Sequence, residues 1–368
     1  MSKFDVIVIG AGISGATIAE RYANDGKTVL VIDKRDHIAG NVYDEIDAET
    51  GIRISRYGAH LFHTNDFAVW EYVQRFGKWQ RWPHHVIADI SGLYVPVPVN
   101  INTVNMLYGL DISSEEEMKS WLEAEQIRCE NPKNSEEVAL SRVGKRLYDA
   151  IFKDYTKKQW DKEPKELQPS VLERIPVRTN FDDRYFSDKY QAMPVNGYTS
   201  IVENMLSSSR ITVKLNTDWE DVKKNISGEI LVFTGPIDVY FKESGLPPLE
   251  YRSIDFEWSR MKMEGYYQPN SVVNYSSLGN PYTRCVEYKH FLHQKSDWTI
   301  ISKETTTDSG EPYYPVPTQK NRALYEAYVH LTKGVKGVHF IGRLATYKYF
   351  NMDQAIRAAL DYYDANLK

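Results

Sequence analysis

Phe4-Asp5-Val6-Ile7-Val8-Ile9-Gly10-Ala11-Gly12-Ile13-Ser14-Gly15 is the stretch that decides the fold, because an apolar run of strand length leads directly into a Gly-x-Gly-x-x-Gly turn. Small and apolar residues then recur at helical spacing as far as Ala23, and the run from Thr28 to Ile32 is typical of a second buried strand. Asp33 closes that strand. The resulting βαβ unit of about thirty residues carries an acidic residue near the offset typical of dinucleotide-binding folds.

Each glycine of this motif has a physical task in binding a dinucleotide. Gly10 permits the tight turn, Gly12 lets backbone approach a pyrophosphate, and Gly15 lets the helix pack closely on the strand. The helix N-terminus would face the phosphates with its unpaired N–H groups, and Asp33 would accept hydrogen bonds from an adenosine ribose. The alternative is an ordinary βαβ turn whose glycines serve packing only.

The composition is that of a globular protein large enough for two or three compact units. Of the 368 residues, 42% are hydrophobic and 26% are charged, and the formal net charge is -5. Lysine and arginine are scattered, which argues against a nucleic-acid partner. Cys129 and Cys285 have no metal-type spacing, and no apolar run approaches the ~20 residues of a membrane helix. No signal peptide precedes Phe4, so we expect a cytoplasmic protein.

Two turn-rich segments after the βαβ unit carry candidate ligand-binding residues. The pair Gly40-Asn41 can place backbone N–H groups toward a ligand, although a surface loop explains it equally well. The segment Tyr57-Gly58-Ala59-His60-Leu61-Phe62-His63-Thr64 puts two histidines three residues apart. His60 and His63 could ligate a metal, but no third ligand stands at a supporting spacing, so we expect no metal site.

The middle of the chain indicates an inserted helical subdomain between about residues 100 and 175. Ser113-x-x-Glu116 predicts a capping box at a helix start, and further helical periodicity begins near Ser135. Residues 174–178, Arg-Ile-Pro-Val-Arg, predict an extended loop. Arginines on such a loop suit closure over an anionic nucleotide, although solvated surface charge is an equally good explanation.

The remaining segments predict strands. Residues 86–99 alternate like a strand whose prolines place it at a sheet edge, and residues 250–305 alternate as an antiparallel layer. The buried run 229–236 is typical of a return to the nucleotide-binding sheet. Residues 338–343 predict a strand and then a turn that carries Arg343, ahead of a closing helix that Asn351 can cap. A second pyrophosphate contact at this end of the chain favours FAD over NAD.

Together these motifs resemble the UDP-galactopyranose mutases, and the resemblance covers essentially the full chain. Its most specific blocks are Tyr57–Thr64, Tyr155-Thr156-x-x-Gln159-Trp160, Arg174–Arg178, Pro281-Tyr282-Thr283-Arg284, Glu311-Pro312-Tyr313-Tyr314-Pro315 and Gly342-Arg343-Leu344-Ala345-Thr346-Tyr347-x-Tyr349. The fold implied is α/β, with a Rossmann-like FAD-binding domain assembled from separated segments, an inserted helical bundle and an antiparallel β-sheet domain. The expected limits are 1–78, 190–245 and 330–368 for the FAD-binding domain, 100–175 for the helical bundle, and 79–99 and 246–329 for the sheet domain.

The resemblance also implies roles for individual residues. Tyr155 and Trp160 would line the uridine pocket, where an aromatic face can stack on uracil, and Arg174 and Arg284 would clamp the diphosphate. The implied catalytic residues are Arg174, Arg284, His60 and His63. The implied substrate-binding residues are Phe152, Tyr155, Thr156, Trp160, Arg174, Tyr185, Asn274, Arg284, Tyr314, Tyr349 and Asn351. The implied cofactor-binding residues are Gly10, Gly12, Ile13, Ser14, Gly15, Asp33, Lys34, Gly40, Asn41, His60, Gly342, Arg343, Tyr349, Met352 and Gln354.

Two positions depart from the family pattern. Asn351 stands where many bacterial members have an aspartate, so a carboxylate role does not carry over, although an amide can still bind sugar hydroxyls. Ala39 replaces a glycine of the usual Gly-Gly-Asn loop, and we expect this to restrict the position to ordinary backbone angles.

The chemistry implied is ring contraction of UDP-galactopyranose to UDP-galactofuranose without net redox, for cell-surface polysaccharide synthesis. N5 of reduced FAD would attack the anomeric carbon, displace UDP and hold the sugar as an iminium while the ring opens. An external reductant linked to NAD(P)H and a homodimer are also implied. Two rival functions are a flavin amine oxidase-like enzyme, which oxidises its substrate, and a non-catalytic binding protein on the same scaffold, as in the Rab escort and GDP-dissociation-inhibitor proteins.

Overall fold

The computed structural model describes residues 4–224, 226 and 228–366, so positions 1–3, 225, 227 and 367–368 of the expected FAD-binding segments lie outside the described residues. The strands are β1 (Phe4–Ile9), β2 (Val29–Ile32), β3 (Asp44–Ile46), β4 (Arg53–Ser55), β5 (Phe62–Thr64), β6 (Trp79–Arg81), β7 (Val86–Ile90), β8 (Leu93–Val97), β9 (Tyr190–Pro194), β10 (Ile211–Lys214), β11 (Gly228–Phe233), β12 (Tyr251–Lys262), β13 (Val272–Tyr275), β14 (Arg284–Glu287), β15 (Trp298–Thr307), β16 (Tyr314–Pro315) and β17 (Val338–Phe340).

The helices alternate with these strands along the chain. They are α1 (Ile13–Asn24), α2 (Phe67–Gln74), α3 (Ile101–Tyr108), α4 (Glu115–Glu125), α5 (Ser135–Leu147), α6 (Lys153–Trp160), α7 (Ser170–Glu173), α8 (Gly197–Met205), α9 (Trp219–Val222), α10 (Ile237–Tyr240), α11 (Gln319–Thr332) and α12 (Met352–Asn366). A search of the described residues found no helix with the length and hydropathy of a transmembrane span.

A parallel sheet in the order β10-β2-β1-β11-β17 forms around the amino-terminal strand. Val6 and Val8 are fully buried on one face with α1 and α12, and Ile7 and Ile9 are buried on the other. Burial of both faces explains why β1 reads as a continuous apolar run rather than an alternating one. The predicted Rossmann-like βαβ unit is thereby confirmed.

A second sheet is mostly antiparallel and has the order β16-β12-β15-β14-β13-β7-β8. The long strands β12 and β15 pair over most of their length, and β7 joins β13 in parallel. β8 is the edge strand and contains Pro96, so the predicted edge position is confirmed, but residues 86–97 form an antiparallel hairpin of β7 and β8 rather than one strand. These two sheets confirm the predicted α/β fold class with an antiparallel layer.

A small sheet in the order β5-β9-β6 lies between these two parts. β9 pairs with β5 on one side and with β6 on the other. Residues 79–81, which we expected at the start of the sheet domain, therefore pair with a strand of the expected FAD-binding segments. The domain limits themselves remain a prediction.

The region between β8 and β9 is helical, with a core formed by Met118, Leu122, Val138, Val143 and Leu147. A π-helical turn over Tyr148–Phe152 connects α5 to α6. The capping box of α4 lies one residue later than predicted, because Ser114 accepts from the Glu117 N–H at 3.2 Å. The Glu117 carboxylate accepts from the Ser113 N–H at 2.7 Å as well, so the pair of serines allowed either register.

Candidate active site

A cleft of about 1160 Å³ extends between the parallel sheet, the helical region and the antiparallel sheet. This is above the range of roughly 300–1,000 Å³ that is usual for a ligand pocket, as a large ligand requires. The predicted site residues that line it are Gly10, Gly12, Ile13, Ser14, Asp33, Lys34, Gly40, Asn41, His60, His63, Tyr155, Thr156, Trp160, Arg174, Tyr185, Asn274, Arg284, Tyr314, Gly342, Arg343, Tyr349, Asn351, Met352 and Gln354.

Two predicted site residues lie away from the cleft lining. Phe152 is only 6% exposed and packs in the buried apolar core at the π-helical turn, outside the residues that line the cleft, so its contact with substrate stays a prediction. Gly15 lies behind the nucleotide turn, where an added Cβ would come within 2.0 Å of the Gly10 carbonyl oxygen. It therefore acts through helix-to-strand packing, as expected of the third glycine.

The backbone comes together closely where a pyrophosphate would lie. A Cβ added at Gly40 would meet Cα of Gly12 at 2.9 Å, and the Ala39 N–H donates to the Ala11 carbonyl at 2.9 Å. Ala39 has φ +73°, so the expectation of ordinary backbone angles at this position is wrong. The tight contact between the two loops imposes a left-handed conformation even on an alanine.

Asp33 stands at the edge of the dinucleotide cleft, as predicted. Its carboxylate accepts from the N–H groups of Ala11 at 2.7 Å and Arg35 at 3.0 Å, which holds it in place beside the glycine turn. Thr217 and Trp219 line the same end of the cleft, and the indole N–H of Trp219 is buried without a partner. Neither residue could be predicted as part of a site, since both follow a short strand and belong to no motif.

A cluster of arginine and tyrosine side chains occupies the opposite part of the cleft. The Arg343 guanidinium lies 4.7 Å from the ring centre of Tyr314 and 4.9 Å from that of Tyr349, and its Nε is buried without a partner. Arg174 lies over the ring of Tyr349 as well, at 4.3 Å. Arg343 Nε is thus a buried donor without a partner, in a cluster of two positively charged side chains. Such a cluster fits an anionic ligand.

The charges of this cluster act on the tyrosines. Burial favours the neutral phenol of Tyr349, but the positive charges of Arg174, Arg343 and Arg284 outweigh it and lower the pKa of Tyr349 below its ordinary value. Burial raises the pKa of Tyr314 to about 12. Tyr314 therefore keeps its proton near neutral pH and can donate a hydrogen bond.

Arg284 is anchored from behind by a carboxylate that the sequence analysis missed. Its Nε donates to Oε2 of Glu304 at 2.6 Å, and the Glu304 side chain is 2% exposed. The neighbouring carboxylate holds the pKa of Arg284 well above its ordinary value despite burial, and burial raises the pKa of Glu304. Because Nε is the nitrogen that Glu304 holds, the terminal nitrogens of Arg284 can donate to a ligand in the cleft.

An aromatic pocket adjoins the arginine cluster. Trp160 is 6% exposed and meets the rings of Tyr314 and Tyr349 edge-on at 6.4 Å and 5.9 Å. Tyr155 is buried beside them, and this burial raises the pKa of its phenol. The pocket thus offers flat apolar ring faces next to the positively charged arginines. A nucleotide base can stack on the rings while its phosphates contact the arginines.

Histidines line the cleft between the two ends. His60 Nδ1 contacts the Gly58 carbonyl at 2.8 Å, and burial lowers the pKa of His60 to about 4, so the neutral ring donates there and keeps Nε2 as an acceptor. His63 Nδ1 lies 2.8 Å from Oδ2 of Asp188, and its ring stacks on Phe186. Asp188 thereby fixes the orientation of His63.

His84 also lines the cleft, and the sequence analysis missed it. Burial lowers the pKa of His84 to about 3, and its Nδ1 is buried without a partner. Its position beside another histidine after a proline gave no periodic or motif signal. Among the described residues, no group of three histidine, cysteine or carboxylate side chains is arranged to hold a metal ion.

Comparisons with known proteins agree with this geometry. Residues 150–349 match the family model described as UDP-galactopyranose mutase, and residues 8–76 match that of the NAD(P)-binding Rossmann-like domain. A probable UDP-galactopyranose mutase of Klebsiella pneumoniae is 37% identical over 98% of this chain and 94% of its own length. A dTDP-fucopyranose mutase of Escherichia coli is 37% identical over 97% and 96%, respectively.

The solved structures show the same fold. A crystal structure of reduced UDP-galactopyranose mutase superposes with a TM-score of 0.79 over 100% of this chain and 95% of that one, at 16% identity. A putative protoporphyrinogen oxidase from Exiguobacterium gives 0.71 over 99% of both chains, at 12% identity. With the family model matching more than half of the chain and relatives matching nearly all of it, the chain belongs to the UDP-galactopyranose mutase family.

Proposed function

We propose that this protein is a FAD-dependent isomerase that interconverts UDP-galactopyranose and UDP-galactofuranose. The observation that carries the proposal is one continuous cleft with a glycine-rich dinucleotide edge at one end and an arginine–tyrosine anion site beside an aromatic pocket at the other. That arrangement suits a dinucleotide and a nucleoside diphosphate bound next to each other.

The residues present fit FAD. Gly12 and Gly40 leave a backbone cradle that a Cβ would fill, Asp33 stands at the ribose position, and Arg343 has a buried donor without a partner. When bound and reduced, FAD supplies a nucleophilic nitrogen for the anomeric carbon, with no net change in oxidation state. The other tasks in the reaction fall to the protein's own side chains.

The clamp residues hold the leaving group. Arg174 and Arg284 bind the diphosphate from opposite walls, so that UDP stays in place after the anomeric bond breaks and can return to the rearranged sugar. Tyr155 and Trp160 bind the base. Binding energy from these remote contacts offsets the cost of ordering the sugar beside the cofactor.

Ring opening and reclosure move protons between sugar hydroxyls. His60 offers Nε2 as a hydrogen-bond acceptor, because its Nδ1 is occupied by the Gly58 carbonyl. His63, oriented by Asp188, offers a second ring nitrogen at the same part of the cleft. These two residues are placed to accept or return protons of the sugar.

A second candidate substrate is dTDP-fucopyranose, which the Escherichia coli relative names. It differs from UDP-galactopyranose by a 5-methyl group on the base, by the missing ribose 2′-hydroxyl and by a methyl in place of the C6 hydroxymethyl group. The deciding experiment is incubation of the reduced protein with UDP-galactofuranose and with dTDP-fucofuranose, followed by chromatography of the nucleotide sugars. Conversion of only the thymidine sugar would overturn the substrate assignment and leave the mutase chemistry intact.

The same experiment separates a mutase from an oxidase-like enzyme and from a binding protein. An amine oxidase-like enzyme would consume one equivalent of oxidant per substrate, and a binding protein would purify colourless and convert neither sugar. An external reductant linked to NAD(P)H, a homodimer and a place in cell-surface polysaccharide synthesis belong to the same proposal.

A further inference from the structure

Lys158 lies on α6 between two residues of the aromatic pocket, Tyr155 and Trp160, but its side chain points out of the cleft. It enters the loop that connects β13 to β14. There its Nζ lies within hydrogen-bond distance of four backbone carbonyls, at 2.6 Å, 2.9 Å, 3.0 Å and 2.7 Å, so one of its three N–H groups is shared between two of them. The carbonyls belong to Tyr275, Ser277, Asn280 and Tyr282.

Four carbonyl oxygens that converge on one point need a positive charge between them. Hydrogen bonds from an ammonium group are about twice as strong as neutral ones, and unpaired buried carbonyls are costly. Burial lowers the pKa of Lys158 to about 8, and the negative charge of Asp154 on α6 opposes this, so the ammonium form still predominates at neutral pH. Glu257 accepts from the Tyr282 hydroxyl at 2.6 Å, and Lys303 lies over the ring of Tyr282 at 5.1 Å. The ammonium of Lys158 is thus the organising group of the loop.

The two ends of this loop carry site residues. Asn274 at the end of β13 is paired with Arg284 at the start of β14, and both line the cleft. The main chain of Lys158 is held as well, because its carbonyl accepts from the Thr306 hydroxyl on β15. One residue of α6 therefore bonds to the Arg284 hairpin with its side chain and to the neighbouring strand with its backbone.

We propose that Lys158 is a positioning residue for nucleotide-sugar binding. Its ammonium group sets the separation between the aromatic pocket of α6 and Arg284, so that base and diphosphate are bound at the same time. The inference rests on the proposed function, since it takes a nucleoside diphosphate as the ligand that spans both elements.

The test is the affinity of the flavin-loaded protein for UDP, measured by titration calorimetry. Lys158→Met removes the ammonium but keeps the length of the side chain, and we expect UDP to bind about ten- to a hundred-fold more weakly. If this variant does not fold, Lys158→Gln carries the same measurement. UDP affinity within twofold of wild type in a folded variant would overturn the inference.

The chain offers a matched control in Lys289. Its Nζ also donates to backbone carbonyls, those of Met263, Glu264 and Gly265, at 3.2 Å, 3.3 Å and 3.0 Å. This second lysine lies outside the cleft lining. Lys289→Met should lower the unfolding temperature while leaving UDP affinity unchanged. An equal loss of UDP affinity in both variants would mean general destabilisation and would contradict a positioning role.

A double-mutant cycle tests whether Lys158 acts through Arg284. Because Lys158 is inferred to place that arginine, Lys158→Met should cost much less UDP affinity in an Arg284→Ala background than in the wild type.

Chemical rescue gives a second readout. Treatment of Lys158→Cys with bromoethylamine restores an ammonium group at the same distance from the backbone, and wild type treated in the same way controls for Cys129 and Cys285. Strict additivity, or no recovery on alkylation, would reject the role.

Failure of the proposed function is distinguishable. If wild type converts UDP-galactofuranose and binds UDP but the Lys158 variants bind it equally well, only this inference falls. If wild type binds no UDP, both fall together.

Discussion

Arg284 is held at its Nε by Glu304, 2.6 Å away, while Arg174 on the opposite wall lies over the ring of Tyr349 at 4.3 Å. One arginine of the clamp is thus fixed by a buried carboxylate, and the other is held by an aromatic ring that a ligand can also contact. The positive charges of both arginines act on Tyr349 from different elements of the fold.

Replacement of either clamp arginine should be severe. Arg174→Ala or Arg284→Ala removes a charged partner of the diphosphate, which should cost roughly 2–5 kcal/mol, or about two to three orders of magnitude in kcat/KM. Steady-state kinetics with UDP-galactofuranose measures this. Arg357→Ala is the matched control, because Arg357 pairs with Asp66 outside the cleft. Near-normal activity of either clamp variant would reject the diphosphate assignment.

The protein should purify yellow with non-covalently bound FAD. The Gly12–Gly40 cradle and Arg343 provide contacts for a dinucleotide, and no cysteine lines the described part of the cleft for covalent attachment. Denaturation should release all of the chromophore, which chromatography and mass spectrometry identify. FMN in its place, or a well-folded preparation without flavin, would contradict the cofactor assignment.

Activity should require reduced flavin without consuming reductant. A flavin N5 that attacks the anomeric carbon has an available electron pair only in the reduced ring, so one anaerobic pre-reduction should support many turnovers. Substitution of 5-deaza-FAD removes that nitrogen but still permits hydride transfer, and it should abolish ring contraction. Full activity with the deaza cofactor would assign the chemistry to a side chain, with His60 and His63 as the first candidates.

Sugar choice should follow from His63. The family resemblance places this residue near the C2 substituent, and a histidine there resembles enzymes restricted to galactose. The ring of His63 is stacked on Phe186 and held by Asp188, so it has little freedom to move aside for a larger group. UDP-N-acetylgalactosamine should therefore be a poor substrate in competition assays. Efficient turnover of it by the unmodified protein would remove position 63 as the determinant.

Acid should weaken the ion pair between Asp47 in the amino-terminal segment and Arg260 in the antiparallel sheet. Asp47 accepts from Arg260 Nε at 2.9 Å, and this hydrogen bond lowers the pKa of Asp47 from 3.8 to about 2. A carboxylate with a lowered pKa in the folded protein stabilises it above the unfolded pKa, and this stabilisation is lost as pH falls from about 4 to about 2. Urea unfolding of wild type and Asp47→Asn should therefore differ at about pH 6 and converge toward about pH 2. A difference independent of pH would contradict the ion-pair origin.

The parts of the fold that could be predicted from the sequence depend on local pattern. β1, α1 and β2 carry their periodicity in consecutive residues, and the edge position of β8 follows from Pro96. The position of Ala39 could not be predicted in the same way. Its left-handed backbone results from the approach of Gly12, a residue far away in sequence.

The candidate site shows the same limit. Arginines and tyrosines within recognisable blocks, such as Arg174 and Tyr349, could be assigned from the sequence, whereas Glu304 sits in an alternating strand and is identified only by its contact with Arg284. The family resemblance implies a substrate contact for Phe152, and the structure buries this residue in the apolar core at a π-helical turn that no local pattern predicts. Pairings across long sequence separations and changes of helical phase leave no trace in residue spacing.

The strand order of the parallel sheet has a consequence for synthesis on the ribosome. β1 emerges first, but its neighbour β11 begins at Gly228, and β17 beyond it begins at Val338. A nascent chain that ends before Val338 has the glycine turn but lacks Gly342 and Arg343, so its cofactor cleft is open on one side. Contacts between distant segments form late. Binding of a dinucleotide across this sheet would therefore come late in folding, after β17 and the turn that carries Gly342 and Arg343 have been synthesised.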